Sequence, residues 1–160
     1  MEEISIQSII SNYGLYSGTY IICFVSGFVP IINAEIFLIF VSSVVTKSLF
    51  IPVLLLATIG QMTAKAVFFF SGMGVVKLSL KRYENKINDA MLKMQKWESK
   101  ADWFIFLSSF TGFPPFYIIT IVAGMIRHNF FRFFVSGFVG RLLRFGLLML
   151  FPQFFKQLFT

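Results

Sequence analysis

Apolar and polar positions fall in long blocks along the chain. From Tyr13 to Thr46 the sequence is apolar, with an interruption at Pro30-Ile31-Ile32-Asn33-Ala34-Glu35. A second apolar block, Phe50 to Leu78, exceeds the roughly 20 residues that cross a bilayer. Pro52 stands in its first turn, where a missing N–H costs little. The next block, Lys81 to Lys100, changes period. Tyr83, Ile87, Ala90, Met91, Met94, Trp97 and Ala101 recur at helical spacing, and Lys, Arg, Glu, Asn and Gln fill the other face. This pattern predicts an amphipathic helix lying on a membrane surface, with Trp97 at headgroup level. A soluble packing helix is the competing reading. Two further apolar blocks follow, Asp102 to Ile126 and Phe130 to about Phe151, the latter carrying Arg132, Arg141 and Arg144.

The block after Asp102 is broken at its centre by Thr111-Gly112-Phe113-Pro114-Pro115. Paired prolines remove backbone donors and oppose the preceding turn. The halves, Trp103–Thr111 and Phe116–Ile126, would each reach only about 13–17 Å into a core about 30 Å thick. A kinked single span is one solution. Asp102 before the break and Arg127-His128-Asn129 after it favour another, a re-entrant hairpin whose ends share one face. The first block repeats the design: Tyr16–Val29 enters, Pro30–Asn33 breaks, and Ala34–Thr46 returns toward Lys47. Each hairpin is followed by a polar patch and a long apolar helix, so the expected architecture is an inverted repeat with a site where the breaks meet.

The fold class expected is therefore all-α. It is a polytopic integral membrane protein with two opposed re-entrant hairpins, two full spans and an amphipathic surface helix. One domain covers residues 1–160, with halves at about 13–78 and 102–156 joined by 80–101. Composition agrees: 57% of residues are hydrophobic, 13% are charged, and the mean hydropathy is +0.80, whereas a soluble domain is nearer a quarter charged. The net charge is +7. Much of it lies at Lys77, Lys81, Arg82, Lys86, Lys93, Lys96 and Lys100, against Glu84, Asp89 and Glu98. Beside apolar spans such a run reads as cytoplasmic and touching anionic headgroups, not nucleic acid. Cys23 is the single cysteine, which excludes an intramolecular disulfide or thiolate cage. The acidic start MEEISIQ does not resemble a removed targeting peptide.

Candidate chemistry follows from charges in apolar surroundings. Glu35 is the acidic residue within a membrane block, a candidate proton carrier or gate. The alternative is a carboxylate that complements a helix N-terminus. Lys65 lies midway along the second block, with Gln61 and Thr63 near it, and a Glu35–Lys65 pair would hold both charges. Arg127 and Arg132 flank the second hairpin. Arg141 and Arg144 lie deeper and share a helix face. Arginine suits bidentate phosphate contacts, so these four are candidate lipid-phosphate ligands, with simple anchoring as the alternative for Arg127 and Arg132. Pro30, Gly112, Pro114 and Pro115 are the gating turns. No nucleophile–base arrangement or metal-ligand spacing stands out. The reading is accordingly not an enzyme, with no cofactor and no metal.

The stretch TGFPPFYIITIVAGMIRHNFFRFFVSGFVGRLLRF resembles the second half of the DedA/VTT-domain family of SNARE-associated membrane proteins. The run VAGM, then Arg127, Arg132-Phe133 and Gly137 carries the resemblance. Phe28-x-Pro30 to Glu35 is similar to the family's first hairpin, and Gly60 to Gly74 to its following span. The forms around the second tip look most like the short YqaA-type subgroup. The resemblance implies movement or scrambling of phospholipids or lipid-linked phosphates, with proton coupling in bacterial members, and a cytoplasmic (inner) membrane location. Two departures stand out. The second tip, Gly112 to Phe116, carries no arginine, and Lys65 stands where many members have an acid. A non-transporting scaffold and a small proton- or ion-coupled solute transporter are the other function classes that fit. A homodimer would suit so small a membrane body.

Overall fold

The computed structural model describes the backbone of residues 6–29, 32–95 and 98–158, and the side chains of 14–29, 32–74 and 100–152. The described residues form α1 (Ile6–Phe28), α2 (Ala34–Val44), a 3-10 turn at Lys47–Leu49, α3 (Phe50–Gln95), α4 (Glu98–Thr111), α5 (Phe116–Met125) and α6 (Phe130–Leu158). No strand occurs among them. The all-α expectation holds. Two helices are long and apolar enough to cross a membrane, within Lys47–Gly74 and Phe130–Pro152. The most apolar windows of these stretches are only 50% and 33% buried. The core helix of a soluble protein would be mostly covered. Here Ile51, Val67, Phe70, Val135, Leu143, Leu147 and Phe151 stand exposed instead.

Local chemistry accounts for the element ends. Asn33 caps α2, its Oδ1 accepting from the Glu35 N–H at 2.9 Å. Pro115 precedes α5 and its carbonyl accepts from the Ile118 and Ile119 N–H groups at 3.0 and 3.4 Å.

Three boundaries differ from the sequence expectation. α1 begins at Ile6 rather than near Tyr16, and at 23 residues is about 34 Å long. Its first turns mix polar residues with Ile6, Ile9, Ile10 and Tyr13 at helical spacing, ahead of the continuous apolar block. α3 does not stop at Leu78 but continues unbroken to Gln95. Residues 75–82 hold neither glycine nor proline, and leucine, lysine and arginine are good helix formers. The basic segment is thus an extension of the apolar helix and not a separate surface helix starting at Lys81. Its side chains, and residues 96–97, lie outside the described set. α4 begins at Glu98, ahead of Asp102.

The chain divides into two compact units. The first contains residues 1–61 and 145–160, the second residues 62–144. They are not sequential halves, because α3 and α6 each contribute to both. In the first unit α1 and α2 pack together, and Cys23, Leu38, Val41, Val53, Phe145 and Met149 form the core. Cys23 is fully buried, as a small apolar residue would be. In the second unit α4 and α5 pack together over Met62, Phe69, Ile105, Phe116, Ala123 and Phe133. Phe69 stacks on Phe133 with ring centroids 4.8 Å apart. Gly72 and Gly124 let the backbones of α3 and α5 meet: a Cβ on Gly124 would strike the Phe69 carbonyl, and one on Gly72 the Ile121 carbonyl.

Candidate functional site

Each residue of Arg127-His128-Asn129 has its own task in the second unit. α5 stops because Arg127 enters the left-handed region, at φ 54. Its N–H donates to the Gly124 carbonyl and that of His128 to the Ala123 carbonyl, both at 3.0 Å. This is the paired-bond helix stop that glycine usually serves. Asn129 then caps α6, its Oδ1 accepting from the Arg132 N–H at 3.2 Å. Between the two, His128 is buried, and its Nε2 lies 2.7 Å from Oδ1 of Asp102. A carboxylate only accepts, so Nε2 carries the hydrogen. Arg132, largely exposed, brings Nη1 to 4.0 Å from the other Asp102 oxygen. Among the described side chains of this unit, Asp102 is the only acidic one.

Asp102 and His128 are 26 residues apart. A continuous helix of that length would separate its ends by about 39 Å. Their hydrogen bond therefore makes 102–128 a helical hairpin, α4 out and α5 back, rather than a kinked rod. Trp103, Arg127, Phe131 and Arg132, all exposed, surround this base. Such a mixture of aromatic and cationic side chains suits a membrane–water interface.

The tip is ordered by its own hydroxyls. Gly112 takes φ +81 and its N–H donates to the Ser108 carbonyl at 2.8 Å. Ser108 Oγ donates to the Pro114 carbonyl at 2.6 Å. Thr111 Oγ1 accepts from the Phe113 N–H at 3.2 Å and lies 2.9 Å from the Phe113 carbonyl. Phe113 stands 79% exposed at the turn, and Pro114 and Pro115 complete it. The arginine missing from the tip's own sequence arrives from α6: Arg144 Nη1 donates to the Phe110 carbonyl at 2.9 Å. Arg141, one turn earlier on α6, holds its guanidinium 5.1 Å from the Phe116 ring centroid. Lys65 is 5% exposed and Arg141 9%. Lys65 Nζ lies 5.3 Å from the Phe68 ring centroid and feels the positive charge of Arg141. Two cations thus share the interior of the unit that holds the second tip.

No family model matches the chain, and neither a curated protein nor a solved structure matches it.

In the first unit Glu35 is half-buried in the first turn of α2, where a carboxylate complements the helix N-terminus. The side-chain cap itself is Asn33. Pro30 and Ile31 lie outside the described residues, so the first gating turn is described only from Ile32 onward. Gln61 Nε2 donates to Ser26 Oγ at 2.8 Å, and Ser26 Oγ donates to the Cys23 carbonyl at 2.8 Å. Glu35 belongs to this unit and Lys65 to the other. Of the expected site residues, the second unit gathers Gly112, Pro114, Pro115 and Arg144 at the tip, with Arg141 and Lys65 within it. Arg127 and Arg132 stand at the base. Sequence reasoning treated Asp102 and His128 as separate polar anchors and did not join them. Their placement at the two flanks of one proline break was the available signal.

Proposed function

We propose that this chain is a membrane-embedded protein that moves an anionic phospholipid or a lipid-linked phosphate across the bilayer, in the manner of the DedA/VTT-domain proteins it resembles. The Asp102–His128 bond carries the reading. With the base of the second hairpin at headgroup level, nine residues of α4 bring the tip about 14 Å inward, near the middle of a core about 30 Å thick. The hairpin is then re-entrant, and the cations beside it lie where a phosphate would need them. Arg127 and Arg132 meet the headgroup at the interface, and Arg141 with Lys65 attracts it inward. Glu35 is the candidate gate or proton carrier at the other hairpin. The basic extension of α3 lies on the cytoplasmic side, against anionic lipid.

The test is reconstitution of the full chain into vesicles bearing fluorescent lipid, with an impermeant quencher outside. Wild-type protein should expose inner-leaflet lipid to the quencher, and Glu35→Gln should slow this. Solute uptake without lipid movement would support a solute transporter, and neither activity would support a scaffold. In a Cys23→Ala background, cysteines at Lys100 and Phe131 should react with an impermeant thiol reagent from one and the same side. Labelling from opposite sides would show that residues 102–128 cross the membrane.

Arg127 allows a separate check, because its backbone and side chain have different duties. Glycine adopts φ 54 without the penalty of about 1 kcal/mol that a side chain incurs there. Arg127→Gly should keep or raise thermal stability in detergent while slowing the movement of anionic fluorescent lipid in the vesicle assay. Lower stability would mean that the side chain secures the turn.

A further inference from the structure

We propose that Arg144 is a positioning residue that holds the tip of the second hairpin against α6, and not a headgroup ligand. The last carbonyls of α4 have no partner within their own helix and carry its negative dipole end. Arg144 serves one of them: its Nη1 donates to the Phe110 carbonyl at 2.9 Å. The same guanidinium lies close to Gly112. A Cβ there would come within 3.0 Å of Nη1 and 3.3 Å of Cζ and Nη2. Gly112 supplies φ +81, and its missing side chain lets the guanidinium come close.

Arg141 lies over Phe116, the first residue of α5. Two guanidiniums one helical turn apart on α6 thus meet the residues just before and just after the proline pair. They differ in setting. Arg144 meets the negative end of α4, where a cation is favoured. Arg141 lies at the start of α5, over the face of Phe116. The tip cannot leave α6 unless Arg144 gives up the Phe110 carbonyl. Arg144 accordingly controls how readily the turn moves, whichever headgroup passes.

Amide hydrogen exchange of the full chain in vesicles tests this, read on the peptide spanning residues 107–119. Arg144→Gln should speed exchange at the tip by about tenfold, as expected for losing a charge-assisted hydrogen bond. Exchange around Gly124–Arg132 should stay unchanged, and Arg144→Lys should restore most of the protection. A general loss of structure would speed both peptides alike and would overturn the assignment. Should Arg144→Gln not fold, Arg144→Met, which keeps an unbranched stem and removes every donor, is read on the same two peptides, and the same local change is expected. Unchanged exchange at the tip in the folded variant would overturn the assignment.

A second arm rests on the proposed lipid movement. Arg144→Gln should alter the movement of fluorescent phosphatidylglycerol and phosphatidylcholine by the same factor. Loss confined to phosphatidylglycerol would make Arg144 a headgroup ligand. If wild-type protein moves neither lipid, the functional reading fails, while the exchange arm still decides the role of Arg144.

Discussion

Asp102→Ala destabilises the protein by about 1–3 kcal/mol and frees the base of the second hairpin. His128 is 5% exposed, and its Nδ1 has no hydrogen-bond partner among the described residues. Asp102 therefore satisfies the one ring nitrogen that is paired. Without it, both nitrogens of a buried imidazole lack a partner, and water cannot easily replace the lost acceptor. The weaker approach of Arg132, at 4.0 Å and largely solvated, adds little. Asp102→Asn, which keeps an acceptor oxygen, should cost less. Replacing both partners, Asp102→Ala with His128→Phe, should recover much of the loss, because no buried polar ring remains to be satisfied. Thermal unfolding in detergent reads all three. An Asp102→Ala protein as stable as the wild type would show that the clasp does not hold the hairpin.

If the chain moves lipid as proposed, Lys65→Met should stop that movement while the protein still folds. The lysine is 5% exposed, its Nζ lies 5.3 Å from the Phe68 ring centroid, and the like charge of Arg141 acts on it. Methionine keeps a similar unbranched length and removes only the ammonium, so the change in stability reads what the ammonium contributes. Function is different, because an interior cation is what would draw a phosphate inward. The measurements are the unfolding midpoint in detergent and the vesicle assay. Full lipid movement by the stable variant would remove Lys65 from the mechanism. A marked loss of stability would instead reveal that Lys65 neutralises an acid, as the pairing with Glu35 requires.

Where local chemistry decides the backbone, the sequence was readable. Asn33 announced the start of α2, Pro115 the start of α5, and Gly112 the turn between α4 and α5, because caps, prolines and left-handed glycines act within a few residues. The continuity of α3 was not readable. A change of polarity at Lys81 looks like a boundary, but polarity does not end a helix; only a breaker or a cap does, and residues 75–82 contain neither glycine nor proline. The early start of α1 was legible in the spacing of Ile6, Ile9, Ile10 and Tyr13, but it lay ahead of the continuous apolar block that the reading followed. Side-chain partnerships over long separations were less visible still. Nothing in the periodicity joins Asp102 to His128, and nothing assigns Arg144 to a carbonyl 34 residues away. Arg141 and Arg144 were readable as a pair on one face, yet their different partners depend on which end of which helix the fold sets beneath each.

The connector between α5 and α6 has no slack. Arg127 ends one helix, His128 reaches Asp102, and Asn129 begins the next, so each of three consecutive residues fixes a different backbone event. Connector length therefore sets the phase of α6. One additional residue would rotate everything downstream by about 100° relative to α5. Arg141 would then turn away from Phe116 and Arg144 from Phe110, although neither had been altered. Length changes here should be far more damaging than substitutions, and the three-residue spacing acts as a timing element that brings distant arginines to the turn.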